Sequence, residues 1–314
     1  MNTISVTLGS LVDRTLLEVQ HPSEEGYRVV MGSTALTTTG ATTFTLSDVD
    51  APVNVSDLVQ FGSELVLVTA KTTDADPVYT CARGYYSTTA STYAAGQVGI
   101  VNPKYPRVRV QEAIKRSFSR FEALGLPMID SAVENRTTGK QYIELPAEVR
   151  EVLQVWYVDT NTGKMVEVPN WRFVENMPTS TFSTANVITL PTSIRSGRSI
   201  VPISNSTDFQ VVYRIPYRWS THPTAPTEAA TISVHEGAED LPALYAAAWL
   251  MGAREFSRHE IDRSEEFSAD ASDQRGSAGA TVRAAWQSFY RALDELRRLN
   301  NVPVHRPFIK RPKL

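Results

Sequence analysis

The chain has 314 residues, 42% of them apolar and 21% charged, with a formal net charge of −3. A compact fold of that length buries roughly three quarters of its unfolded surface, so it needs no disulfide or metal to fold, and the near-average composition excludes wholesale disorder. The single Cys81 excludes an internal disulfide framework, and its apolar strand context predicts a buried, inert thiol.

In chain order, the first twenty residues carry Asp13, Arg14 and Glu18 among apolar positions, which predicts neither a signal-peptide core nor a membrane span. Leu8, Leu11, Val12, Leu16 and Val19 instead place one apolar stripe on a helix ending near His21-Pro22. From Tyr27 to Val101 the pattern turns to strands: Leu58 to Phe61 and Glu64 to Lys71 flank Gly62-Ser63 as a hairpin. Thr-rich stretches at Thr34 to Thr45 and Ser87 to Thr92 read as loops or edge strands, with a turn at Arg83-Gly84, and the whole predicts a small barrel or sandwich.

A second helix follows Pro106, with the stripe Val110, Ile114, Phe118, Phe121 and Leu124, and is stopped by Gly125 and Pro127. From Met128 to Pro226 the candidate strands are 141–144, 149–158, 166–168, 171–175, 187–190 and 209–217, with a turn at Asn161-Thr162-Gly163. Trp156, Trp171, Phe173, Tyr213 and Trp219 are expected to fill a sandwich core there.

A third helix opens at Glu239-Asp240-Leu241-Pro242, acids and a proline that suit the positive end of the helix dipole. Leu241, Leu244, Tyr245, Ala248, Met251, Gly252 and Phe256 give it a face of small residues for close packing. Its apolar run from Leu241 to Ala253 is shorter than the roughly 20 residues that a bilayer requires. No membrane association is therefore expected. Folding in a cytoplasm is, and the Asn-x-Ser/Thr triplets at Asn54, Asn135 and Asn205 then carry no glycan.

The fourth helix has Val282, Ala285, Trp286, Phe289, Leu293, Leu296 and Leu299 three or four residues apart. The acids Asp262, Glu265, Glu266, Asp270 and Asp273 lack the order of a calcium loop and read as a connection between helices three and four. Ion pairs from Arg254, Arg258 and Arg263 to Glu265 and Glu266 are expected, within the subunit or across to a neighbour.

Charge is unevenly placed: Glu228 to Asp270 holds ten Asp/Glu against three Arg, whereas Val302 to Leu314 holds only cations. Opposite charge at the two places suits assembly with partners, because complementary potentials orient docking. In the tail, Pro303, Pro307 and Pro312 forbid helix, and Val304, Phe308 and Ile309 supply apolar anchors among Arg306, Lys310, Arg311 and Lys313. These residues are expected to form an extended arm that adds to a partner's surface. Without stacking aromatics, four cations make a weak nucleic-acid site.

No catalytic motif emerges. Gly197-Arg198-Ser199 begins like a nucleophile elbow, but position 201 is Val, and His21, His222, His235, His259 and His305 stand singly. No catalytic, metal or cofactor residues are expected.

The segments Asp57-Leu58-Val59 through Val66-Leu67-Val68, Ala82-Arg83-Gly84, Val101-Asn102-Pro103 and Tyr142-Ile143-Glu144-Leu145-Pro146 stand in a recognisable order. With Asp240-Leu241-Pro242-Ala243-Leu244, Arg254-Glu255, the last helix and the tail, the chain resembles a tailed-bacteriophage head-to-tail connector, the adaptor that docks on the portal. The resemblance implies an α+β fold, with a small helical bundle as core, two inserted antiparallel β (barrel or sandwich) units and an extended C-terminal arm.

The corresponding segments are 1–24, an N-terminal core helix; 25–104, the first β unit; 105–126, a core helix; 127–226, the β-sandwich; 227–300, the C-terminal core helices; and 301–314, the arm. The resemblance further implies a virion ring, usually of twelve subunits, at the head-tail interface. The arm would engage the portal protein, the lower surface would receive a neck or tail-completion protein, and DNA would pass through the lumen without sequence-specific contact. Two other readings are a tail or baseplate subunit and, more distantly, a β-sandwich glycan hydrolase using Glu144, Glu148 and Glu151.

Overall fold

The computed structural model describes residues 3–19, 26–124, 126–135, 140–159, 164–178, 181–191, 193–196, 199–202, 208–221, 227–264 and 271–299. Its elements begin with β1 (Thr3–Thr7), α1 (Leu8–Val19), β2 (Tyr27–Val30), β3 (Thr43–Thr45), β4 (Leu58–Phe61), β5 (Glu64–Lys71), β6 (Val78–Tyr85), β7 (Val98–Val101) and α2 (Arg107–Phe121). They continue with β8 (Met128–Asn135), β9 (Tyr142–Leu145), β10 (Glu151–Asp159), β11 (Lys164–Glu167), β12 (Arg172–Val174), β13 (Asn186–Thr189), β14 (Ser193–Ser196), β15 (Ser199–Pro202) and β16 (Asp208–Ile215). The last are β17 (Thr231–His235), α3 (Leu241–Ser264) and α4 (Ala271–Leu299). Two compact units result, one from Ser119–Arg218 and the other from Ile4–Phe118 with Trp219–Pro303, so the division falls inside α2.

In the larger unit, six antiparallel strands pair in the order β2-β7-β4-β5-β6-β3. The two outer strands then meet: Met31 pairs with Leu46, Ser47 N–H donates to Val30 O at 2.8 Å, and Gly32 N–H donates to Thr45 O at 2.7 Å. The sheet is thereby a closed barrel, an arrangement that removes exposed strand edges. Inside it, Phe44 stacks on Tyr79 with centroids 5.4 Å apart and meets Phe61 edge-on at 5.7 Å. Met31, Leu36, Val59, Val66, Val68 and Cys81 complete the core, each large apolar side chain contributing about 1.5–3 kcal/mol by burial.

The barrel also sets where α2 begins. Asn102 adopts φ of 48°; its N–H donates to Leu58 O at 2.7 Å, its Oδ1 accepts from Leu58 N–H at 2.9 Å, and its Nδ2 donates to Asp57 Oδ1 at 2.8 Å. Five residues on, the buried Gln60 of β4 accepts the Arg107 N–H at 2.9 Å, satisfying a donor at the helix start.

At α1 the Thr7 hydroxyl accepts the Ser10 N–H at 3.1 Å, an N-cap. Leu8 N–H and Gly9 N–H donate to Ala230 O and Glu228 O, both at 2.9 Å, just before β17. The buried stripe is Leu8, Leu11, Val12, Thr15 and Val19, with Thr15 Oγ1 donating to Leu11 O at 2.7 Å. Leu16 is only half-buried, so Thr15 takes the core position the periodicity assigns to it. Helix α1 lies against α3 and α3 against α4, where Tyr245, Trp286 and Phe289 meet edge-to-face at 5.4 to 5.9 Å. The small residues Ala243, Ala246, Ala247 and Ala248 of α3 are buried, which permits that approach.

The α+β expectation of a small helical bundle core is overturned. Among the described residues there are seventeen strands and four helices, and the barrel core and the sandwich core are built from strands and their connecting loops, without a helical residue. The physical reason lies in the strands: their inward-facing apolar residues bury against one another within the barrel and within the sandwich, so each has a core of its own, while α3 packs on α1 and α4. The helices also run longer than expected at one end, α3 continuing through Ser264 and α4 beginning at Ala271.

The smaller unit is a sandwich. One antiparallel sheet has the order β11-β10-β16-β8 and the other β12-β13-β9, with β14-β15 as a separate pair. Val155 and Tyr157 of β10, Phe209, Val211 and Tyr213 of β16, and Ile143, Leu145 and Ile188 from the facing sheet share one core. Of the aromatics expected there, Tyr213 is in the core and Trp171 and Phe173 pack at its border. Trp156 is half-buried, its Nε1 donating to Gln154 Oε1 at 3.4 Å, and Trp219 belongs to the other unit, edge-on to Phe118 at 5.4 Å. Strand alternation explains the exchange: Val155 and Tyr157 point inward, so Trp156 points away.

Candidate functional site

The expected arm residues Val304, Arg306, Phe308, Ile309, Lys310, Arg311 and Lys313 lie outside the described residues, as do Glu265, Glu266 and the Asn161-Thr162-Gly163 turn. Arg254, Arg258 and Arg263 lie on α3, where only the helical backbone is described.

The barrel carries the most developed polar cluster. Glu64, at the head of β5, is fully buried, and Arg83 of β6 is 7% exposed. Arg83 Nε donates to Glu64 Oε1 at 2.7 Å and Nη2 to Oε2 at 2.9 Å. The remaining guanidinium donors reach Thr38 O at 3.1 Å, Ala41 O at 2.9 Å and Ser91 O. The carboxylate in turn accepts Gly84 N–H at 3.0 Å and Ser91 N–H at 2.9 Å.

Burial pushes the Glu64 carboxyl up, but the hydrogen bonds from Arg83, the Ser91 and Gly84 amides and the Arg83 charge outweigh it and hold it below the ordinary carboxylate range. Its hydrogen bond to Glu64 likewise raises Arg83. One ion pair thus fixes the 38–41 and 84–91 loops to two strands. The Arg83-Gly84 dipeptide is a bulge within β6, where the pairing slips between Leu65 and Leu67. The turn follows at Tyr86 and Ser87, with φ of 53° and 61°. Gly84 itself has φ of 64°, and a Cβ there would lie 2.8 Å from Thr88 O.

A second cluster ties the start of α2 to Glu228 and to Asp13 of α1. Arg107 donates from Nε and Nη2 to Glu228 at 2.8 and 3.1 Å and from Nη1 to Asp13 at 2.8 Å, while Gln111 Nε2 reaches Glu228 at 3.1 Å. Burial opposes the Arg107 charge, yet these partners raise its pKa overall. Both clusters escape a reading by local spacing because their ion-paired side chains are 19 to 121 residues apart. Glu64, followed directly by the apolar run Leu65 to Val68, is a local sign of the first.

Beside them, β1 pairs with β17 in a two-stranded sheet. Its residues Thr3, Ile4, Ser5 and Thr7 are exposed. A cleft of about 490 Å³ is lined by Ile4, Ser5, Val6 and Thr7 of this strand together with Ser10, Arg14, Glu239 and Asp240. Arg14 Nη1 forms an ion pair with Asp240 Oδ1.

In the sandwich, the three carboxylates weighed for glycan hydrolysis each have a different partner. Glu144 accepts from Ser183 and lies 3.9 Å from Lys140, Glu148 lies 3.8 Å from Arg218, and Glu151 accepts from Arg214 at 2.6 Å. On β8, Asp130 and Glu134 stand opposite the core residues Tyr213 and Phe209. Burial raises the Glu134 carboxyl and, joined by the Asp130, Glu134 and Glu148 charges, pushes the Tyr213 phenol up to about 12. A partly buried charge such as Glu134 on the core-facing side protects a sheet-edge strand from pairing with another chain. In the barrel, burial pushes the Cys81 thiol up to about 11, which keeps it protonated and unreactive near neutral pH.

Among the described residues, no group of three His, Cys, Asp or Glu is placed to hold a metal ion, and no helix is long and apolar enough to cross a membrane. A scan against protein-family models finds no match, and a search of curated proteins finds no similar sequence.

Proposed function

We propose that the chain is a structural virion subunit, an adaptor that forms a ring between the portal and the neck or tail of a phage particle and surrounds the DNA passage without reading its sequence. It carries out no reaction of its own. It is assembled in the bacterial cytoplasm and resides at the head-tail interface.

The observation that carries this reading is the use of buried charge. The buried Glu64 and Arg83 hold two loops to the barrel, and the more exposed Arg107, Glu228 and Asp13 tie the start of α2 to α1, leaving these groups engaged in shape. The resemblance segments interlock as well: Asn102 of Val101-Asn102-Pro103 bonds both Asp57 and Leu58 of Asp57-Leu58-Val59. A ring part works by presenting a fixed shape through one heterologous interface repeated until it closes.

Native mass spectrometry of the chain, alone and with the portal protein, tests the proposal. A closed ring of one fixed stoichiometry is expected with the portal. A chain that stays monomeric and leaves the portal unbound would refute it.

A further inference from the structure

From the open edge of β1 we infer a docking site for residues 301–314 of a neighbouring copy, which would join β1 as an additional strand. The inference rests on the ring reading and names the contact that links one subunit to the next.

Three observations support it. First, β1 is hydrogen-bonded to β17 on one side, and among the described residues no strand pairs with its other side. Such an edge presents a row of backbone donors and acceptors, the template used when an extended peptide adds to a sheet. Unlike β8, whose inward face carries Asp130 and Glu134, β1 has the uncharged sequence Thr3-Ile4-Ser5-Val6-Thr7. It therefore lacks the carboxylates that guard the other edge.

Second, the cleft beside β1 combines an apolar wall with an acidic rim. Ile4 is 38% exposed and Val6 half-buried. Glu239 and Asp240 line the same cleft, and with Asp240 paired to Arg14 one carboxylate is left in excess. The site calls for an extended segment with alternating apolar side chains and a surplus of positive charge.

Third, the chain itself contains such a segment. Residues 301–314 hold Arg306, Lys310, Arg311 and Lys313 with no acid, and Val304, Phe308 and Ile309 supply apolar side chains. Pro303, Pro307 and Pro312 exclude helix, and a single extended chain of this length reaches roughly 45 Å, ample for a strand of five residues. The opposite charge of tail and rim would orient the arm as it docks.

Full-length chains test the site. Ser5→Cys and Ile309→Cys are made in separate preparations, mixed and oxidised; buried Cys81 does not compete. A disulfide between the two chains is expected, well above the yield when Thr73→Cys, an exposed barrel position, replaces Ser5→Cys. In parallel, Glu239→Lys and the pair Lys310→Glu with Arg311→Glu should each raise the concentration for half-assembly roughly tenfold, the equivalent of about 1.4 kcal/mol. Combining the three should restore much of the loss, which a folding defect would not do. A mixed disulfide no more abundant than the Thr73→Cys control, or a ring that assembles equally well without residues 301–314, overturns the docking site, including the case in which the truncated ring loses only the portal. Failure of the ring reading appears separately, as a wild-type chain that stays monomeric even with the portal protein and leaves it unbound.

Discussion

Glu64 and Arg83 share two hydrogen bonds of 2.7 and 2.9 Å in a place where the carboxylate is fully buried. A desolvated pair is often replaceable by apolar residues at little cost, whereas removing one partner costs about 3–5 kcal/mol. Here the pair also satisfies five backbone groups, the amides of Gly84 and Ser91 and the carbonyls of Thr38, Ala41 and Ser91. Arg83→Met is therefore expected to lose about 3–5 kcal/mol in urea unfolding. The double variant Glu64→Leu with Arg83→Met should be no more stable than the single one, because the loop groups remain orphaned. Recovery to wild-type stability in the double variant would mean that the pair does not hold the loops.

The same pair gives the barrel unit an acid-sensitive part. The Glu64 pKa is lower in the folded protein than unfolded, so its contribution is complete above the unfolded carboxylate pKa. It is lost as pH falls from there through the lower folded value. Unfolding midpoints measured from pH 7 down to pH 2 should fall less steeply for Glu64→Gln than for the wild type. Parallel curves would remove Glu64 from the acid response.

Glu134 acts with the opposite sign. Burial raises its pKa in the folded protein, so it costs stability at neutral pH, and the cost fades as pH falls through the folded value toward the unfolded one. Glu134→Gln should raise the Tm at pH 7 and leave it nearly unchanged below the unfolded carboxylate pKa. Glu134→Val should also raise the Tm but promote association through β8, seen by light scattering; a monodisperse Val variant would contradict the guarding role of the charge.

Gly99 faces into the barrel, and a Cβ there would lie 2.5 Å from the Phe61 ring. Overpacking of this sort costs about 1–3 kcal/mol, so Gly99→Ala should destabilise by that amount. The penalty should shrink in a Phe61→Leu background, where the ring is gone. An equal loss in both backgrounds would place the cause in the backbone.

What could be read from the sequence depended on the distance over which each feature is determined. Helices α1 and α2 and the β4-β5 hairpin around Gly62-Ser63 carry local periodicity and turn chemistry and appear where expected. Cys81 is buried, as its apolar surroundings predict. Strand β8 was hidden by Asp130, Ser131 and Glu134, whose polarity reflects edge protection, and β1 and β17 are short strands next to helices. The true turn at Tyr86-Ser87 has positive φ without Gly or Asn to announce it. The helical core was misjudged because helical periodicity is legible within one segment, whereas the barrel and sandwich cores come from strands that pair across long separations. Barrel closure through Met31 and Leu46, and the pairing of Arg107 with Glu228, arise only on folding.

Electron cryo-microscopy of the native particle, with the chain carrying a density label at the exposed Thr73 position, tests the central claim most directly. A ring adaptor places the label in a closed ring between the portal and the first neck or tail component. Label at the tail tip or baseplate, or a particle without the chain, would contradict it.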